Sequence, residues 1–130
     1  NPIIIQVTDT KLRDELAEKN REIGGWKEGF DPFYGAPAVL VVLGEKGNSN
    51  RVYDGSLVMG NLMLAAYAVG LGSCWINRAR EMFESPRGKE LMAKWGIADN
   101  YAGVACCILG YPEGELPEAK PRKDGYIIKV

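Results

Sequence analysis

The stretch "YDGSLVMGNLMLAAYAVG", Tyr53 to Gly70, constrains this chain more than any other. Its composition predicts a helix over Tyr53–Val69 that is apolar nearly all round, from Leu57, Val58 and Met59 to Ala68 and Val69. A helix on the surface of a globular protein shows one apolar stripe; one that is apolar on every side is buried on every side. With 130 residues the chain is expected to form a single domain, which leaves little room to wrap a helix completely. Two coverings stay open: a second copy of the chain, or a segment that precedes it. The second arises because the sequence opens on "NPIIIQV", already an apolar β-branched run. The expectation is therefore an N-terminally truncated domain.

Gly70 and Gly72 follow that helix, and "SCWI" follows them. Gly-Leu-Gly-Ser-Cys-Trp resembles part of the G-x-G-x-x-G dinucleotide fingerprint, but that motif needs a strand before it and a helix after it. Here the order is helix, glycine, strand, and Trp75 stands in the place of the third glycine. The fingerprint fails on both counts. Both glycines are instead expected to shape the turn with left-handed backbone.

Around this centre the other elements read simply. Pro2–Val7 is expected as a buried strand. Thr8 or Asp9 caps a helix over Lys11–Asn20, with Glu15 and Lys19 as an i,i+4 pair. "GGWKEGFDPFYGAP" is a long loop of the kind that often carries function. "AVLVVL", Ala38–Leu43, is a central strand. Ser85-Pro86 starts a helix that ends at Trp95, with Gly96 beyond it. Tyr101–Leu109 is another buried strand, and a basic then apolar tail closes the chain.

Composition excludes several functions. The net charge of -1 and pI of about 5.5 offer no basic face for nucleic acid. No apolar run reaches membrane length. Three cysteines, two of them adjacent, make no disulfide framework and suggest a reducing, cytoplasmic setting. The chain contains no histidine, which removes Ser-His-Asp and Cys-His nucleophiles and the common zinc sites. No metal is expected, and no side chain is expected to be catalytic. An enzyme built this way needs a cofactor to carry its chemistry. Two features suit one. The strand at Trp75-Ile76 offers backbone amides and flat apolar surface to an aromatic ring; the same residues also read as plain core. Lys120, Arg122 and Lys123, fixed around Pro121, suit one phosphate; they also read as a solvated tail.

These residues carry a resemblance. Gly35-Ala36-Pro37 before "AVLVVL", Asp54 with "GNLMLAAYAVGLGSCWI" after it, then Gly110, Pro112 and Lys120-Pro121-Arg122-Lys123 resemble, in order, the nitroreductase family of FMN-dependent oxidoreductases. "NPIIIQV" is similar to that family's Gln-Pro-Trp strand start, with Asn1 in the Gln place and Ile3 in the Trp place. The resemblance implies an α+β, three-layer fold: a central, mostly antiparallel sheet flanked by helices, in an intertwined homodimer with FMN at the subunit interface. Cys74, Trp75, Ile76, Asn77 and Arg78 would border the flavin, with a backbone N–H near Asn77 or Arg78 facing N5. Lys120 and Arg122 would hold the phosphate, with Lys123 close by. NAD(P)H would supply hydride, and nitroaromatics, quinones or similar molecules would accept it. A non-catalytic flavin-binding or dimerisation module of the same fold, or a relative with other flavin chemistry such as reductive dehalogenation, are the alternatives. The family's N-terminal Arg-x-Ser-x-Arg motif has no counterpart here, and Asn77 stands where the family carries an acidic residue.

Overall fold

The structure is a computed structural model and describes residues 2–115 and 118–130. Asn1 lies outside the described residues. Four strands, β1 (Ile3–Val7), β2 (Ala38–Glu45), β3 (Gly72–Ile76) and β4 (Tyr101–Gly110), form one sheet in the order β1-β2-β4-β3. Every neighbouring pair is antiparallel. Helices α1 (Thr10–Gly24), α3 (Ala79–Glu84) and α4 (Pro86–Lys94) pack on one face, and α2 (Arg51–Ala68) packs on the other. This is the three-layer α+β arrangement that the resemblance implies.

The central strands explain the unbroken apolar runs. Val39, Val41 and Leu43 of β2 join Cys106 and Ile108 of β4 in the core beneath α1, α3 and α4. Val42, Ala105 and Cys107 point the other way, into the layer beneath α2. Strands covered on both faces lose the alternation of polar and apolar residues. Between Val42 and Leu43 the register slips, so that Val42 faces Ala105 and Leu43 faces Gly103. Val104 is the extra residue of a β-bulge, and glycines meet it from both sides. A Cβ on Gly55 of α2 would lie 2.7 Å from a Val104 methyl, and one on Gly103 would lie 2.2 Å from the Ala79 carbonyl at the start of α3.

Several expectations need correction. β1 is an edge strand rather than a buried one: Ile3, Ile5 and Val7 face the core while Ile4 is 47% exposed, because α2 packs mainly over β2, β3 and β4. Glu15 and Lys19 do not pair. Arg87 of α4 offers Glu15 a two-toothed grip, at 2.5 and 3.1 Å, and Lys19 turns to Glu22. Arg87 holds the Glu15 carboxyl below its ordinary pKa. Of the two glycines after α2, only Gly70 is left-handed, at φ +79°; Gly72 is the first residue of β3. The short α3, six residues long, carries no signal in the local sequence. The first helix runs past the expected end at Asn20 to Gly24, where Gly25 caps it in left-handed backbone at φ +67°. Two helix starts hold: Asp9 caps α1 through Leu12 N–H, and Ser85 caps α4 through Gly88 N–H, with Pro86 at its first turn.

Within one copy α2 is covered on one side only. Gly55, Met59 and Ala66 are buried against the sheet, while Leu57 and Leu64 are each 70% exposed and Tyr67 is 74% exposed. Among the described residues no helix is long and apolar enough to cross a membrane.

The bulge contact predicts a stability test. Gly103→Ala is expected to destabilise the fold by about 1–3 kcal/mol through overpacking, read as a lower urea midpoint. Gly47→Ala, whose Cβ would meet nothing within 4 Å, is expected to stay within about 0.5 kcal/mol of the parent.

Candidate functional site

Two features lie at opposite ends of β3. At its start is a cleft of about 420 Å³, walled by Tyr34–Pro37, by Gly72–Cys74 and by Gly110–Glu113. Glycine allows the close approach here: a Cβ on Gly110 would lie 3.3 Å from Pro37. Gly35-Ala36-Pro37, Gly110 and Pro112, far apart in sequence, thus meet around one opening.

The loop that forms this wall is fastened by an ion pair. Arg13 of α1 is nearly buried, donates to Asp31 at 2.5 Å and to the Ala36 carbonyl at 3.0 Å, and lies over the Phe33 ring. Asp31 in turn accepts from the N–H groups of Phe33 and Gly35, at 2.8 and 2.7 Å. Burial alone would raise the Asp31 pKa; Arg13 and the two N–H groups together outweigh it and hold the carboxyl below its ordinary range. Nothing local marks Arg13 for this role, because a basic residue on a helix reads as solvent-facing.

At the far end of β3 the chain turns into α3. Trp75 packs into the layer beneath α2, and its indole N–H donates to the Asn77 side chain at 2.6 Å. Ile76 is core, 7% exposed, so only its backbone can border a ligand. Asn77 is exposed, and its carbonyl accepts from the side chain of Asn20 at 2.8 Å. Arg78 is left-handed, at φ +75°, which costs a side-chain-bearing residue roughly 1–2 kcal/mol. Its guanidinium lies 4.4 Å from the centre of the Trp26 ring, a contact worth about 0.5–2 kcal/mol that offsets much of this strain. Outside the β ladder, neither the Asn77 nor the Arg78 N–H donates to an acceptor among the described residues. The turn therefore presents two adjacent backbone donors beside an aromatic and cationic surface.

The thiols divide by burial. Burial, then the neighbouring Cys107, pushes Cys106 up to about 12, and burial also raises Cys107; neither is a thiolate at neutral pH. Cys74 is exposed at the cleft. Lys120, Arg122 and Lys123 lie in the exposed segment after β4, and none of them lines the cleft. Arg122 rests over the Tyr126 ring at 5.7 Å. Within a single copy, then, Cys74–Arg78 are contiguous along one strand and turn, and the three cations are not among the residues that wall the cleft. Among the described residues no cluster of three potential metal ligands occurs.

Comparison with known proteins gives this geometry its context. The profile of the nitroreductase family matches residues 3–111. The chain belongs to the nitroreductase family. Among solved structures, a nitroreductase with bound FMN from Bacteroides fragilis superposes with a TM-score of 0.86 at 27% identity, over 99% of this chain and 75% of that one. An FMN-dependent nitroreductase from Clostridium difficile gives 0.80 at 25% identity, over 99% and 78%. A nitroreductase with bound FMN from Desulfitobacterium hafniense gives 0.83 at 23% identity, over 99% and 75%, a likeness of fold. No curated protein matches the chain by sequence. The architecture is that of flavin oxidoreductases.

The Asp31 pair yields a pH prediction. Because its folded pKa is depressed, Asp31 contributes stability above its unfolded pKa of about 3.9, and that stability is lost as pH falls through the lower folded value. Asp31→Asn is expected to lose about 1–2 kcal/mol at pH 7, one charged hydrogen bond discounted for partial exposure. Urea titrations of parent and variant should converge as the acid limit is approached.

Proposed function

We propose that the chain is an FMN-dependent oxidoreductase that works as a homodimer and passes hydride from NAD(P)H through flavin N5 to nitroaromatics, quinones or similar small acceptors. The observation that carries this reading is the β3–α3 turn, with its adjacent N–H donors at Asn77 and Arg78, in the fold of a family whose Bacteroides fragilis member binds FMN.

The residues present fit FMN by the chemistry of their donors. A flavin offers hydrogen-bond acceptors along the N5 edge, a flat apolar face and a terminal phosphate. The amides of Asn77 and Arg78 suit the edge, and Cys74, Trp75 and the Ile76 backbone border the ring. Lys120 and Arg122, with Lys123 beside them, suit the phosphate. The chemistry supplied by bound FMN is two-electron transfer, from a reduced nicotinamide to an acceptor. The chain's own part is to bind and orient. Fixed N–H donors tune charge at the ring without a titrating group, which suits a protein without histidine. Cys74 borders the ring and is not a nucleophile. The three free thiols suit the reducing cytoplasm.

The uncovered face of α2 supports the dimer. Leu57, Leu64 and Tyr67 form an apolar surface that a second copy of the same face would bury, in an obligate interface of more than about 2,000 Å². The cations after β4, which do not wall the cleft of one copy, then complete the phosphate site in the assembly. Residues 1–130 act as one such domain.

Two measurements test the reading. The purified chain is expected to be yellow with flavin absorbance, and Arg122→Ala to weaken FMN at least about tenfold, the worth of one charged hydrogen bond, with a far smaller effect on riboflavin. Equal losses for both ligands would remove Arg122 from the phosphate. By sedimentation the parent is expected to be a dimer and Leu64→Glu a monomer; a monomeric parent at micromolar concentration would overturn the assembly. Menadione-dependent oxidation of NAD(P)H, retained within a few fold in Cys74→Ala, separates an enzyme from a colourless dimerisation module.

A further inference from the structure

Asn20 is fully buried on α1, in a layer otherwise filled by Leu16, Met82 and Phe83. A buried amide is costly unless its polar atoms are partnered. Here the partnering is one-sided. Nδ2 donates to the Asn77 carbonyl at 2.8 Å and touches the Met82 sulfur at 3.2 Å, while Oδ1 has no partner among the described residues. The orientation of the amide follows from chemistry, since a carbonyl only accepts and the NH₂ end must face it. Packing alone does not account for a half-satisfied amide where an apolar side chain of the same shape would fit.

Resting on the flavin reading above, we infer that Asn20 is a positioning residue for the cofactor: it pins the Asn77–Arg78 peptide so that the Arg78 N–H faces outward, toward the flavin edge. The peptide is trans, so its C=O and N–H point in opposite directions. Drawing the Asn77 carbonyl inward onto Asn20 turns the Arg78 N–H the other way. The same peptide leads into the left-handed backbone of Arg78, at φ +75°, a conformation that persists only where its surroundings hold it. Asn20 and Trp26 lie in α1 and just beyond it. The first grips the peptide before Arg78 and the second stacks on the Arg78 side chain, so one segment fixes both the direction of the donor and the residue that carries it.

The test uses the whole chain and two near-isosteric variants. Asn20→Leu keeps the branched shape and removes the donor. Asn20→Asp restores a donor only when its carboxyl is protonated. The first readout needs no cofactor: the backbone chemical shifts of Arg78, which report its left-handed state. The second is the ratio of affinities for reduced and oxidised FMN. Asn20→Leu is expected to lose the left-handed signature and to change that ratio about tenfold, roughly 30 mV for a two-electron couple. Asn20→Asp is expected to return to parental behaviour as pH is lowered, whereas the parent shows no such recovery. If Asn20→Leu fails to fold, the pH series of Asn20→Asp carries the test. Unchanged Arg78 shifts in the variants would overturn the clamp. Altered shifts with an unchanged affinity ratio would overturn its role toward the flavin. If the parent itself fails to bind FMN, the functional reading fails and the cofactor role falls with it, while the Arg78 shifts still decide whether the clamp exists.

Discussion

The bulge at Val104 holds the layers together. β4 lies between β2 and β3 and is covered on both faces, so any change in its register would move every element stacked on it. The extra residue is accommodated because glycines stand where a side chain would collide: Gly55 of α2 on one face, and Gly103 beneath the start of α3 on the other. Backbone can then approach backbone, and α3 begins close against the sheet. That closeness determines where the Asn77–Arg78 turn sits.

α1 links the two ends of the candidate site. Near its N-terminus, Arg13 holds Asp31 and the Ala36 carbonyl, and so the loop that walls the cleft. Near its C-terminus, Asn20 holds the Asn77 carbonyl, and Trp26 just beyond takes the Arg78 guanidinium. A helix is a stiff connector, so the loop and the turn are positioned by one body. Both anchors are polar groups with little solvent contact, where directional bonds count for more than they would in water.

Much of this was legible in the sequence. "AVLVVL" announced a strand buried on both faces, Ser85-Pro86 announced a helix start, and Gly70 announced the end of α2; each follows from local chemistry that needs no tertiary partner. Some of the short motifs behind the family resemblance, Gly35-Ala36-Pro37, Gly110 and Pro112, meet around one cleft, whereas the cations at Lys120, Arg122 and Lys123 do not line it. What stayed hidden depended on distant residues. Val104 looks like any strand residue until Gly55 and Gly103 are placed beside it. Glu15 has a good local partner in Lys19, and only the fold supplies the better one in Arg87. Asn20 reads as a polar residue at a helix end, and its bond to Asn77 spans 57 positions. The left-handed Arg78 has no sequence signal, since glycine or asparagine is the usual occupant of that backbone region.

The uneven burial of the thiols makes the chain its own folding indicator. Cys106 and Cys107 are sealed between the helical layers, whereas Cys74 stands open at the cleft. An alkylating reagent at neutral pH meets one accessible sulfur on the native protein and three on the unfolded chain. The mass added per chain therefore counts how many molecules have opened the space between sheet and helices, with the chain's own thiols as the reporters.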